Sequence, residues 1–139
     1  DEYNFLVDLI RQENPEDDNP LLPVDAPELY DDKKFLSEVF MSEYDLNSLK
    51  KLLRHKKNII LQGAPGVGKT FSAKRLAYAM MGMTDDSRVK MVQFHQNYSY
   101  EDFIMGYKPT ASGFELREGV FYEFCRKAAN DPDRELLHH

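Results

Sequence analysis

A chain of 139 residues is one domain's worth, or one domain with an extension, and 42% hydrophobic with 12% aromatic content supplies a core. No apolar run approaches the roughly eighteen residues of a spanning helix, and the acidic start lacks the pattern of a signal peptide, so the expected location is cytoplasmic with no membrane contact. One cysteine, Cys125, excludes an internal disulfide, and no Cys/His spacing resembles a zinc site. The net charge of -6 is uneven: residues 1–32 hold eleven acidic residues against the single base Arg11, whereas residues 33–139 are mildly basic. A basic body suits phosphate ligands.

Phe5, Leu6, Leu9 and Ile10 recur at helical spacing and predict a short amphipathic helix over residues 3–13. From Glu13 to Glu28, Pro15, Pro20, Pro23 and Pro27 stand among acidic residues, a composition that resists regular structure. Residues 1–30 therefore read as an acidic helix and Pro-rich arm, with Leu21, Leu22 and Val24 able to tack it onto the domain. Residues 31–135 read as the domain itself. Its first helix, over 31–41, should bury Phe35, Leu36, Val39 and Phe40. Ser42 is placed as an N-cap with Asp45 three residues on. The helix it opens runs through Leu46, Leu49, Leu52 and Leu53 to Arg54, His55, Lys56 and Lys57. That cationic end complements the helix dipole or, alternatively, meets a nucleic-acid backbone.

Ile59, Ile60 and Leu61 form a short apolar run that predicts a buried strand. Gly63 to Thr70 then match G-x-x-x-x-G-K-[ST], and Phe71 to Met81 predict a helix with Ala73, Leu76, Ala77, Met80 and Met81 on one face. Gly63, Gly66 and Gly68 allow a backbone that turns its N–H groups inward, and the positive end of the helix adds to them. Lys69 would reach the β- and γ-phosphates, the Thr70 hydroxyl would ligate magnesium, and Pro65 would stiffen the loop. The predicted nucleotide-binding stretch is thus Gly63, Ala64, Pro65, Gly66, Val67, Gly68, Lys69, Thr70 and Phe71, with ATP or GTP and Mg as ligands.

Gly82 is placed as a C-cap, Thr84 to Ser87 as a turn, and Val89 to His95 as a second strand. Ser99 can cap a short helix beginning near Tyr100. Tyr98, Tyr100, Phe103 and Tyr107 crowd this region, either to pack it onto the sheet edge or to contact a neighbouring subunit or DNA. Glu101 and Asp102 are adjacent, about 100° apart on a helix, which makes them solvated or dipole partners rather than an acid/base pair. Lys108 to Glu118 reads as a hairpin or loop. Val120, Phe121, Phe124, Cys125 and Ala128 share a face of a helix over 118–130, where Cys125 is expected as an inert buried thiol. Asn130-Asp131-Pro132 stops it. Residues 136–139 read as a tag remnant, and His138 and His139 receive no metal role.

The acidic pairs Asp17-Asp18, Asp31-Asp32, Asp85-Asp86 and Glu101-Asp102 follow no apolar strand, so none supplies the acidic strand that a P-loop hydrolase uses. The expectation is a fragment that binds nucleotide without a catalytic residue of its own. The block from Asn58 to Thr70, then Met91-Val92-Gln93-Phe94-His95 through Tyr98-Ser99-Tyr100-Glu101-Asp102-Phe103 to Pro109, and Gly119 to Cys125, resembles the AAA+ module of McrB-type proteins. The resemblance covers about residues 30–133. It implies a P-loop parallel α/β sheet flanked by helices and cut short, a ring-forming homo-oligomer when complete, an NTPase motor, an McrC-like endonuclease partner, and DNA bearing modified cytosine. Only the phosphate-loop roles carry over, and ATP versus GTP stays open. A non-catalytic nucleotide-dependent interaction module and a small-molecule P-loop kinase are the alternatives.

Overall fold

The structure, a computed structural model, describes residues 5–10 and 26–131. The expectations for Leu21, Leu22, Val24, most of the Pro-rich stretch, Pro132 and residues 136–139 lie outside these. The elements run β1 (Phe5–Ile10), α1 (Asp32–Glu38), α2 (Glu43–Lys56), α3 (Lys69–Met81), a 3-10 turn (Asp86–Arg88), β2 (Val89–Phe94), α4 (Tyr100–Phe103), β3 (Met105–Thr110), β4 (Gly113–Glu118) and α5 (Val120–Ala129). The class is α/β. The chain divides into two compact units, residues 15–89 and residues 1–14 with 90–139. No described helix is long and apolar enough to cross a membrane.

In the first unit, α1 opens at Asp31, whose carboxylate accepts from the Lys34 N–H at 2.8 Å, and ends when Val39 turns extended. Phe35 and Val39 are buried, but Phe40 is fully exposed, contrary to its expected packed position. The helix stops at Glu38, so the helical periodicity no longer governs where residue 40 lies. Ser42 caps α2 as expected, accepting from the Asp45 N–H at 3.1 Å, and Arg54, His55 and Lys56 fill the last turn. Lys57 closes α2 in the left-handed region at φ 64, with its N–H on the Leu53 carbonyl. Leu46 is the fully buried residue of α2, while Leu52 is exposed.

Helix α3 ends at Gly82 as predicted, at φ 79, its N–H bonded to the Tyr78 carbonyl at 2.7 Å. Residues 28–30 lie against this end. The Tyr30 N–H donates to the Gly82 carbonyl at 2.9 Å, and Thr84 and Glu28 exchange a backbone and a side-chain bond around the Leu29–Met83 bridge. Leu76, Ala77, Tyr78, Ala79 and Met80 are therefore all buried, five in a row rather than the single predicted stripe. Residues 28–30 and α1 cover the side that periodicity left open: Tyr30 meets Tyr78 edge-on at 5.5 Å between centroids.

In the second unit, residues 5–10 form a strand paired with β2, not the predicted helix. A run as short as Phe-Leu-Val-Asp-Leu-Ile satisfies either period, and the neighbouring strand decides between them. Ser99 and Asp102 make a full capping box for α4. β3 and β4 form an antiparallel hairpin with Tyr107 opposite Leu116 and Pro109 opposite Phe114. Phe94 packs edge-on to Tyr98 and Phe103 at 5.0 and 5.1 Å, and Phe121 of α5 stacks on Phe103 at 5.1 Å. Tyr98 and Phe103 thus pack as expected, whereas Tyr100 and Tyr107 are both 68% exposed. Cys125 is exposed too, against the expectation of a buried thiol: it shares a face of α5 with Phe121, one turn further on, and nothing among the described residues covers it there.

Close approach of α4 decides two glycines here. A Cβ on Gly119 would lie 2.4 Å from the Phe103 carbonyl carbon, and one on Gly106 2.2 Å from Glu101 Cγ. The Gly119 N–H donates to the Ile104 carbonyl at 2.6 Å, fastening α5 to the end of α4. Gly119→Ala should destabilise the protein by about 1–3 kcal/mol or more in urea unfolding, since its obstacle is backbone and cannot swing aside. Asp102 accepts from Lys108 at 2.5 Å and from Ser99, which lowers its pKa to about 2. A carboxyl whose folded pKa lies below its unfolded value contributes stability above the unfolded pKa and loses it as pH falls through the folded one. An NMR titration should find Asp102 ionised down to about pH 2, and Lys108→Met should move its midpoint back toward the ordinary carboxylate range.

Candidate functional site

The glycine loop lies between α2 and α3. Residues 58–64 precede it without forming the predicted strand, and Ile60 is 84% exposed. A strand exists through ladder bonds to its neighbours, and none of the described strands pairs with this run. Its apolar residues are right for a sheet interior; the partner is what the described residues do not provide.

The loop turns at Pro65-Gly66, where Gly66 takes φ 80, and enters α3 through Gly68, also at φ 80. Side chains rarely adopt that region, and nothing lies within 4 Å of a Cβ built on either glycine, so conformation rather than crowding calls for glycine. Gly63 differs: its Cβ would meet Val67 Cγ2 at 3.1 Å, so the loop doubles back closely there. Gly68 caps α3 without a side-chain bond, and the first N–H to bond back along the helix is that of Ser72, to the Gly68 carbonyl at 2.9 Å. The N–H groups of Lys69, Thr70 and Phe71 consequently have no intrahelical acceptor. Lys69 folds its ammonium over the loop, donating to the carbonyls of Gly63 at 2.7 Å and Ala64 at 2.6 Å. Thr70 is half-buried in the first turn. The arrangement brings together one cation, three first-turn N–H groups without intrahelical acceptors and a hydroxyl, the elements that suit a polyphosphate with its metal.

Beside the loop runs a chain of contacts that sequence reasoning missed. The Arg75 guanidinium sits 4.0 Å from the centroid of the Phe71 ring, and its Nε donates to Glu38 at 3.2 Å. The Tyr30 hydroxyl donates to the same carboxylate oxygen at 2.7 Å. Burial, then the bond to Glu38, pushes the Tyr30 pKa up, while that bond from Tyr30 and the Arg75 pairing hold Glu38 below the usual carboxylate value. The i, i+4 spacing of Phe71 and Arg75 was visible in the sequence; their link to α1 was not.

Four described members of the acidic pairs have structural partners. Asp31 caps α1, Asp32 bonds Lys50 at 2.7 Å, Asp85 caps the 3-10 turn, and Asp86 meets Lys74 at 3.0 Å and the Tyr78 hydroxyl. Among the described residues no group of three or more His, Cys, Asp or Glu is placed to hold a metal, so Thr70 would need ligand oxygens from the phosphates and water.

The family model for the AAA domain (dynein-related subfamily) matches residues 58–131, from the glycine loop through α5. The chain is also 49% identical over 115 residues to the Type IV methyl-directed restriction enzyme EcoKMcrB subunit of Escherichia coli (strain K12). That match covers 83% of this chain and 25% of the relative, so the chain spans about a quarter of that protein's length. With a glycine loop opening α3, a matching family model over more than half its length and 49% identity to a McrB subunit, the chain belongs to the dynein-related AAA domain family and carries part of a McrB-type AAA+ module.

Proposed function

We propose that Gly63, Ala64, Pro65, Gly66, Val67, Gly68, Lys69, Thr70 and Phe71 bind a nucleoside triphosphate, ATP or GTP, with magnesium. The observation that carries this reading is the loop itself: two glycines at φ 80, an uncapped helix N-terminus behind them, and the Lys69 ammonium held over the Gly63 and Ala64 carbonyls. The loop and first-turn N–H groups would donate to phosphate oxygens, replacing their bonds to water. Lys69 would exchange two neutral carbonyls for the charged β- and γ-phosphates, a stronger charge-assisted bond. The Thr70 hydroxyl would face the metal, and bound magnesium would neutralise part of the phosphate charge.

The nucleotide site is proposed to serve a McrB-like motor NTPase in DNA restriction, assembling as a ring with an McrC-like endonuclease and acting in the cytoplasm. The 49% identity to a restriction-enzyme subunit supports this reading. Of the described acidic pairs, Asp31, Asp32, Asp85, Asp86 and Asp102 are committed to caps and ion pairs, and we propose that the acid that orients attacking water comes from outside residues 26–131.

Thermal unfolding of the chain with Mg-GTP, Mg-ATP and no nucleotide tests the site. A ligand at a hundred times its dissociation constant adds about 2.7 kcal/mol, and one nucleotide should give a shift of that order. Lys69→Ala should abolish it, and Thr70→Ala should remove its magnesium dependence. No shift with either nucleotide in folded wild-type protein would overturn the proposal.

A further inference from the structure

Helix α3 is secured unevenly. Burial begins at Leu76, and none of Lys69 to Arg75, the half that carries the glycine loop, is buried. The first-turn N–H groups of Lys69, Thr70 and Phe71 lie at this uncovered end, and a helix end frays unless side chains hold it. Gly66 and Gly68 add freedom rather than restraint, because nothing lies within 4 Å of a Cβ built on either. A phosphate chain gains most from donors that are fixed before it arrives.

Among the described residues two ion pairs leave the uncovered half. Lys74 meets Asp86 at 3.0 Å, and Asp86 also accepts from the Tyr78 hydroxyl, so that link runs toward the buried end. Arg75 reaches the other way. Its guanidinium lies 4.0 Å from the centroid of the Phe71 ring, and Phe71 directly follows Thr70. The Arg75 Nε donates to Glu38 at 3.2 Å, and the same Glu38 oxygen accepts from the Tyr30 hydroxyl at 2.7 Å. Tyr30 is a fixed point: it is 2% exposed, edge-on to Tyr78, and its N–H donates to the Gly82 carbonyl. The Arg75 and Glu38 side chains are 28% and 30% exposed, so solvent screens their pairing only in part. Glu38 thus takes from the Arg75 side chain the freedom that would let it swing off the Phe71 ring.

We propose that Glu38 and Arg75 are positioning residues for the phosphate-binding turn: Glu38, held by Tyr30, fixes the Arg75 guanidinium on Phe71 and so keeps the Lys69, Thr70 and Phe71 N–H groups in place for the ligand. The inference rests on the proposed nucleotide site and adds α1, which carries no residue of the loop, to its machinery. Charge gives it a sign of its own. Removing the Glu38 anion should by itself favour an anionic ligand, whereas positioning requires the reverse.

Calorimetric titration of the full chain with Mg-ATP, Mg-GTP and Mg-tripolyphosphate tests it, at a temperature where every variant is folded. Glu38→Ala and Arg75→Met should each weaken binding about tenfold, and the double variant no further than either, as two members of one device do. Tyr30→Phe, which keeps the ring and loses the hydroxyl, should weaken binding in the same direction. Lys50→Met breaks the Lys50–Asp32 pair that ties α1 to α2, and should lower the melting temperature while leaving affinity unchanged. Unchanged or tighter binding in Glu38→Ala, a loss of about a hundredfold in the double variant, or an equal loss in Lys50→Met would overturn the proposal. A loss confined to the nucleotides, with tripolyphosphate binding intact, would assign the group to the base and overturn it equally. No binding in the wild type would count against the nucleotide site and take this inference with it. Wild-type binding that survives Glu38→Ala removes the inference and leaves the site.

Discussion

Helix α3 is held by left-handed glycines at both ends, Gly68 at φ 80 and Gly82 at φ 79, and the structure of residues 26–89 follows from that. The first glycine lets the chain leave the loop with the early amide groups of the helix facing it. The second reverses the chain so that Met83 and Thr84 run beside Leu29 and Glu28. Between them lie five consecutive buried residues, Leu76 to Met80. Burying an apolar side chain of the size of Leu or Met stabilises by about 1.5–3 kcal/mol, so the helix is anchored far more firmly than the loop it carries. An exposed loop at the end of a buried helix is well suited to binding: the donors stay in place while the ligand comes and goes.

The link between α1 and α3 gives that anchor a polar component. Tyr30, Glu38 and Arg75 form one continuous set of bonds that ends with the Arg75 guanidinium against Phe71, directly after the loop. Segments distant in sequence are thereby tied to the first turn of α3. In the other unit the equivalent constraint is close backbone approach. Gly106 and Gly119 admit α4 to contact distances that a Cβ would forbid, and the Phe94, Tyr98, Phe103 and Phe121 rings fill the space around it.

These two arrangements differ in the chemistry they expose. Residues 63–71 offer polar, cationic and helix-dipole chemistry for a small anionic ligand. The hairpin offers a different chemistry, with Tyr107, Phe114 and Leu116 exposed.

Local chemistry was sufficient for much of this. The capping residues Ser42 and Ser99, the C-cap Gly82, the hairpin over 108–118 and the glycine loop all depend on interactions within a few residues, so they were legible from spacing and residue type. The McrB-like block was legible for the same reason, as a string of residues. What depends on distant partners was not. Residues 5–10 satisfy helix and strand periodicity alike, and pairing with β2 chose the strand. Ile59 to Leu61 have the composition of a strand and no strand among the described residues to pair with. Phe40 and Cys125 have side chains that sequence patterning assigned to an interior, and both are exposed: α1 ends before Phe40, and no described element covers Cys125 one turn beyond Phe121. Sequence alone determined the loop, its capped helices and its family; tertiary structure decided which apolar faces were covered, because burial depends on what arrives from elsewhere in the chain.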